Sequence, residues 1–262
     1  MEHFPARART PRPAGEGASA PLGQTVRAVE RLPFTIRRVA SEADLLKAVA
    51  VRHAAYARHL PEFAKTLAAP EACDYDSDAV ILLAESKLDG SAMGSMRIQT
   101  NVQQPLHVED SVELPLWLVT RRLAEVTRLG IEEGRMGRLA KLALIKASFE
   151  YCEQNQVEYA VVTGRTPIDR QYEQLLFSDV FPGKSMVNLR HVGNLPHRVM
   201  AFEIDTGEAR WTEARHPLLG FFRHTRHPDI DVGDKRHARA RMAAAPHLPA
   251  LQGALFSGNY NV

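Results

Sequence analysis

The chain of 262 residues carries only two cysteines, Cys73 and Cys152, too few for the disulfide framework that staples small extracellular scaffolds. No stretch approaches the roughly 20 consecutive apolar residues of a membrane-spanning helix. The first twenty residues, MEHFPARARTPRPAGEGASA, lack the apolar run of a secretory signal, so a reducing, cytoplasmic setting is expected. Zinc-finger spacing, a helix-turn-helix and interleaved aromatic and basic residues are all missing, which argues against a specific nucleic-acid reader. With 45% hydrophobic and 24% charged residues, collagen, a coiled coil and wholesale disorder are excluded.

No sign of charge dominates, since the net charge is +2. That sum hides unlike regions. Residues 1–33 hold five Arg and three Glu, and residues 206–262 hold eight Arg or Lys against five Asp or Glu. The body, residues 34–205, has 20 basic and 23 acidic residues and is mildly acidic. Three regions follow: a disordered basic arm over 1–33, a folded domain over 34–205, and a C-terminal helix with a flexible basic tail over 206–262.

Within the body, apolar and polar residues alternate over 34–39, and Ser41 precedes a helix that carries Leu45, Val49, Arg52 and Tyr56 and stops at Pro61. Residues 79–85 and 92–98 read as a strand pair around the Lys87-Leu88-Asp89-Gly90 turn, and a short helix is expected near Leu114–Val119. A central strand over 123–131, a loop at Gly134–Gly137 and a helix over 138–154 come next. A strand at 159–163 and a helix over 168–177 follow, with Thr166 as N-cap and Pro167 as first helical residue. Strands at 185–191 and 198–204 and a last helix over 209–222 complete the series. This alternation predicts an α/β (α+β) fold with a mixed central sheet flanked by helices.

The segment over 123–154 is the most informative for chemistry. A glycine-containing loop between strand and helix offers free backbone N–H groups at the positive helix end, which suits a phosphate, and Arg135, Arg138 and Lys141 add charge there. A tight connection with solvated basic residues is the alternative. His224 and His227 have the i, i+3 spacing of helical metal ligands, but no Cys or Glu-x-x-His completes a site, so no metal is expected.

Four motifs occur in order: Arg52 and Tyr56 on the first helix, the acidic cluster Asp74-Tyr75-Asp76-Ser77-Asp78, Gly94-Ser95-Met96-Arg97, and Glu125-Val126-Thr127-Arg128. Together with the element order they resemble the GNAT superfamily of N-acyltransferases. Within it they resemble the acyl-homoserine-lactone (autoinducer) synthases and the long-chain N-acyl amino acid synthases of the FeeM type. The stretch Gly193–Phe202 and His227-Pro228-Asp229-Ile230 look more like the amino acid synthases. Two features depart from the pattern. The acidic pair of autoinducer synthases is spaced three apart, which sets Cys73 opposite Asp76 and leaves Asp74 out of register. In the phosphate loop, Arg135 stands only two residues before Gly137.

The resemblance implies transfer of a long-chain acyl group from an acyl carrier protein thioester, or from acyl-CoA, to the α-amine of an amino acid. No permanently bound cofactor is implied. Glu125 is then the expected base or amine-orienting carboxylate, and Tyr172, in a Tyr-x-x-x-Gly-Phe-like segment with Leu176 in place of Gly, the donor of a proton to the departing thiolate. Arg97, Arg128 or Arg198 is expected to hold the acceptor carboxylate, with Arg52, Asp76 and His197 as further acceptor-side residues. The donor is expected against Arg135, Gly137, Arg138 and Lys141, with an oxyanion donor in the backbone near Leu129–Ile131. Glu125 bracing the sheet with Arg97 and Arg128 is the alternative role. An autoinducer synthase, and a non-catalytic protein of this fold whose basic ends touch nucleic acid or a membrane surface, are the competing functions.

Overall fold

The computed structural model describes residues 27–233. Alternation of buried and half-buried positions makes a strand of Phe34–Arg38 (β2), preceded by the two-residue strand Ala28–Val29 (β1). Ser41 caps Glu42–Ala57 (α1) by accepting the Asp44 N–H, and Pro61 opens the short helix Pro61–Ala64 (α2). The hairpin Ala79–Ser86 (β3) and Ala92–Thr100 (β4), the short helix Leu116–Val119 (α3) and the strand Leu123–Ile131 (β5) lie where the sequence predicts them. Gly134–Gln154 (α4), Tyr159–Gly164 (β6), Ile168–Gln174 (α5), Ser178–Asp179 (β7), Val187–Leu189 (β8) and Leu195–Glu203 (β9) follow. Gly207–Glu213 (α6), Thr225–Arg226 (β10) and Ile230–Asp231 (β11) end the described chain.

The main sheet runs β11-β2-β3-β4-β5-β6-β9-β7, with β8 also on β9. Its pairs are antiparallel except β11 with β2 and β5 with β6. One face, with Ile36, Leu82, Met96, Ile98, Ala124, Val126, Val162 and Met200, packs on Ala140, Ala143, Leu144 and Ala147 of α4. The spacing of those helix residues is the i, i+3, i+4, i+7 stripe that buries one side. The opposite face takes α1 through Leu45, Ala48 and Val49 on Ile81 and Leu83. Gly130 permits the crossing, because a Cβ there would stand 2.7 Å from the Arg52 Cα.

Several expectations need correction. Gly134–Gly137 is the first turn of α4 rather than a loop, and Gly137 is required there because a Cβ would lie 1.8 Å from the Glu132 carbonyl oxygen. Pro167, not Thr166, is the N-cap of α5, and the Thr166–Pro167 peptide is cis. Beyond Thr206 the expected helix over 209–222 is two shorter pieces, Gly207–Glu213 and the π-helical turn Gly220–His224. Trp211 and Phe222 are buried against Phe149 and Phe202, with Trp211 5.0 Å from Phe149, and such aromatic pairs contribute about 0.5–1.5 kcal/mol each beyond burial. At the other end, residues 27–33 are not an extended arm. β1 pairs with β10, and the Leu32 N–H, Arg31 and Lys87 all bond to Asp229. The rest of the basic arm and of the tail lies outside the described residues.

Candidate active site

β5 organises the site because its regular pairing fails twice. Toward β4, Ser95 pairs with Gly130 and Arg97 with Thr127, so Arg128 and Leu129 form a bulge. Arg128 has φ 54°, a left-handed conformation that non-glycine residues rarely adopt. Toward β6 the parallel ladder stops at Val126 and Val162. Past that pair the strands part, and a cavity of about 340 Å³ opens between them. Its walls come from both strands and from α1, α4 and α5: Leu129 and Ile131, Thr163, Tyr56, Ile145 and Tyr172.

The bulge has a chemical consequence. In regular alternation Arg128 would join Ala124 and Val126 on the α4 face. Instead its guanidinium reaches the α1 face, where Nε and Nη2 donate to the two Glu71 oxygens at 2.8 and 2.7 Å and Nη2 also to the His191 carbonyl at 2.8 Å. It lies 5.5 Å from the Phe63 ring centre. Next to it, Arg52 holds Asp74 through two bonds of 2.9 and 2.8 Å. Arg97 Nη1 reaches Glu71, Asp74 and the Cys73 thiol. These arginines hold Glu71 and Asp74 below the usual carboxylate range in spite of burial. Burial pushes the Cys73 thiol up.

The acidic pair spaced three apart is therefore Glu71 and Asp74, two residues upstream of the Cys73–Asp76 register. The brace that joins Arg97 and Arg128 is Glu71 and not Glu125. Glu71 lies outside the acidic cluster in the sequence; its signal is the Glu-x-x-Asp spacing, realised as reciprocal bonds around the 72–75 turn. Asp76 accepts from Gln104 Nε2 at 2.8 Å outside this network.

Glu125 sits apart from the arginine network and is fully buried. Oε2 accepts the Val108 N–H at 3.2 Å, whereas Oε1 has no partner among the described residues. Burial raises its pKa to about 7, opposed by that backbone bond and by the charges of Arg97 and Arg128. His191 Nε2 stands 3.6 Å from Oε1, and burial together with nearby Arg128 lowers this imidazole to about 3. His107 and His191 had no motif to mark them. Arg97, 1% exposed, pairs across β4 and β5 with Thr127, two residues along from Glu125, and its Nε and Nη2 have no partner among the described residues. That pair forms the side-on edge of the guanidinium, the geometry that grips a carboxylate with two parallel bonds.

Of the other expected residues, Tyr172, Lys141, His197, Leu129 and Ile131 line the cavity. Burial raises the Tyr172 phenol, so it stays protonated at neutral pH. Lys141 donates to Gln171 at 2.9 Å, and burial beside Arg138 lowers its ammonium. His197 is pinned through Nδ1 to the Leu195 carbonyl at 2.9 Å, and burial lowers its imidazole. Arg135 and Arg138 are exposed on the first turns of α4, whose N-cap Glu133 makes no side-chain cap bond. Arg198 is committed elsewhere: it binds Asp179 twice and reaches Asp169 and Glu173, fastening β9 to α5 and β7. It has no place in the cavity wall. Leu176, in the position of the motif's glycine, does adopt a left-handed φ of 67°.

FeeM, an N-acyl amino acid synthase from uncultured soil microbes, superposes on this chain with a TM-score of 0.53 at 15% identity, over 70% of this chain and 96% of its own. The fold is therefore FeeM-like. The CoA-dependent acyl-homoserine lactone synthase BjaI, in complex with SAM and isopentyl-CoA, matches at 0.49 with 16% identity over 79% of this chain and 99% of its own. The acyl-homoserine lactone synthase LasI matches at 0.47 with 16% identity, over 65% and 89%. No protein-family model and no curated protein matches the chain. Among the described residues no group of His, Cys, Asp and Glu could hold a metal ion, and no helix is long and apolar enough to cross a membrane.

Proposed function

We propose that this protein is an N-acyltransferase that moves an acyl group from a thioester to the α-amine of an amino acid. The observation that carries the proposal is the cavity at the parting of β5 and β6, with the β5 bulge on one wall and the protonated Tyr172 on the other. The apolar wall of Leu129, Ile131, Ile145 and Leu175 suits an acyl chain and a phosphopantetheine arm. The uncapped N–H groups of α4 with Arg135 and Arg138 suit the donor's phosphate. Their exposure on an otherwise mildly acidic body favours an acyl carrier protein as donor over free CoA. FeeM's activity agrees with this reading.

The acceptor belongs on the adjoining face of β4 and β5. Its carboxylate takes the free Nε and Nη2 edge of Arg97, and its amine points to the unpartnered oxygen of Glu125. Thr127 links that face to the cavity, since it lies on the Glu125 side of β5 and also lines the cavity. In the reaction the amine nitrogen attacks the thioester carbonyl, forming the C–N bond and giving its proton to Glu125. The oxyanion is met by backbone N–H groups freed at the bulge near Leu129. As the C–S bond breaks, Tyr172 protonates the thiolate, and solvent returns a proton to the phenolate. A carboxyl with a pKa of about 7 is well matched to accept a proton at neutral pH.

The test incubates the protein with acyl-carrier-protein and acyl-CoA thioesters and the common amino acids, following thiol release and product mass. An N-acyl amino acid supports the proposal. A lactone product from S-adenosylmethionine overturns the acceptor assignment, and donor binding without turnover overturns the enzyme reading.

A further inference from the structure

We infer that His191 is a positioning residue for Glu125: its imidazole donates Nε2–H to the carboxylate oxygen that faces it, orienting that carboxylate and stabilising its charged form. The inference deepens the acyltransfer reading and rests on it only for the identity of the proton that Glu125 accepts.

The pair is brought together by long-range structure. Glu125 comes from the middle of β5 and His191 from the 190–192 turn between β8 and β9. Oε1 of Glu125 and both ring nitrogens of His191 are buried and lack partners among the described residues, and the facing atoms Nε2 and Oε1 are 3.6 Å apart. Buried polar atoms without partners are uncommon and costly. Here one orphan can only accept and the other can donate. Hydrogen bonds of this kind are frequently long in an unliganded enzyme and tighten once substrate is in place.

The turn is coupled to the rest of the site through its backbone. The His191 carbonyl accepts from Arg128 at the bulge, and the next residue, Val192, lines the cavity. A ligand that presses on Val192 therefore bears on the segment that carries the imidazole. The charged and titratable groups facing the pair are Arg97 from β4, Arg128 from β5, His107 from the 107–110 turn and His197 from β9. Apart from Glu125 itself, those facing the imidazole are cationic or neutral, and with burial they keep it neutral, so it serves as a donor without taking a charge of its own. His191 keeps its proton throughout the step; the amine's proton goes to Glu125.

The acid limb of the kcat/KM profile tests the assignment. In His191→Leu the ionised carboxylate loses its donor, and the limb is expected to move up by one pH unit or more. His191→Gln, which retains an N–H donor, is expected to return it to within a few tenths of the wild-type position. A packing role would lower the folded fraction or kcat and leave the limb in place, and an unmoved limb in the folded Leu variant overturns the inference. If the Leu variant does not fold, nitrogen-15 spectra of the wild-type imidazole decide. A neutral ring protonated on Nε2 supports the assignment, and one protonated on Nδ1 overturns it. That measurement needs no turnover, so it stands even if no donor is consumed.

Discussion

Two carboxylates on one face of the same sheet meet opposite fates. Glu71 is held by Arg128 through two bonds and by Arg97 through a third, and its pKa falls. Glu125, on the same strand as Arg128, accepts the Val108 N–H on one oxygen and faces only the His191 imidazole at 3.6 Å with the other, and its pKa rises to about 7. Proximity to positive charge is shared. The difference lies in which carboxylate completes the short, bidentate contacts that repay desolvation. Glu71 is the structural member of the pair, and Glu125 is left able to exchange a proton.

The comparison breaks most visibly at Glu71. Glu71→Ala leaves two buried guanidinium groups short of a counter-charge, and urea denaturation should show a loss of about 3–5 kcal/mol. Glu125→Gln keeps the shape and the bond from Val108 and replaces a buried carboxylate that is costly to ionise, so it should lose no stability at neutral pH while kcat falls by about 10²–10⁴. Equal loss of stability in both variants would erase the distinction. Arg97→Lys retains the charge beside Glu71 and Asp74 but removes the side-on edge. The acceptor KM should rise about 10- to 100-fold, the cost of a charge-assisted pair, with the donor KM little changed in steady-state kinetics.

The finest test is pH. Because Glu125 must be ionised to accept a proton, kcat/KM should fall about tenfold per unit below pH 7. Stability runs the other way for this group. Its folded pKa is raised from 4.5 to about 7, so its contribution is full below 4.5 and is lost as pH rises through 7. Glu71, with its folded pKa lowered from 4.5, contributes stability above 4.5 that is lost as pH falls. Between pH 8 and 5 the urea midpoint of the wild type should therefore rise relative to that of Glu125→Gln, while activity declines.

Much of the frame was legible in the chain. The strands at 34–38, 79–86, 92–100 and 123–131 follow from runs of apolar and β-branched residues, and α1 from its Ser41 cap. The first turn of the helix at Gly134 is not legible, since glycine propensity argues against a helix interior and only the approach of the Glu132 carbonyl to Gly137 explains the residue. The packing beyond Thr206 is not legible for a related reason: Trp211 and Phe222 are anchored by Phe149, more than sixty residues earlier in the chain, with Phe202 beside them.

The sequence by itself determined the type and order of most elements, because local propensity and alternation are short-range, and its motifs resemble those of the FeeM type. Only the tertiary structure decided which charges meet. A left-handed residue at Arg128 turns its side chain across the sheet to Glu71, and a turn some sixty residues on brings His191 to Glu125. Burial and partner geometry set those carboxylates apart, and both depend on segments remote in the chain.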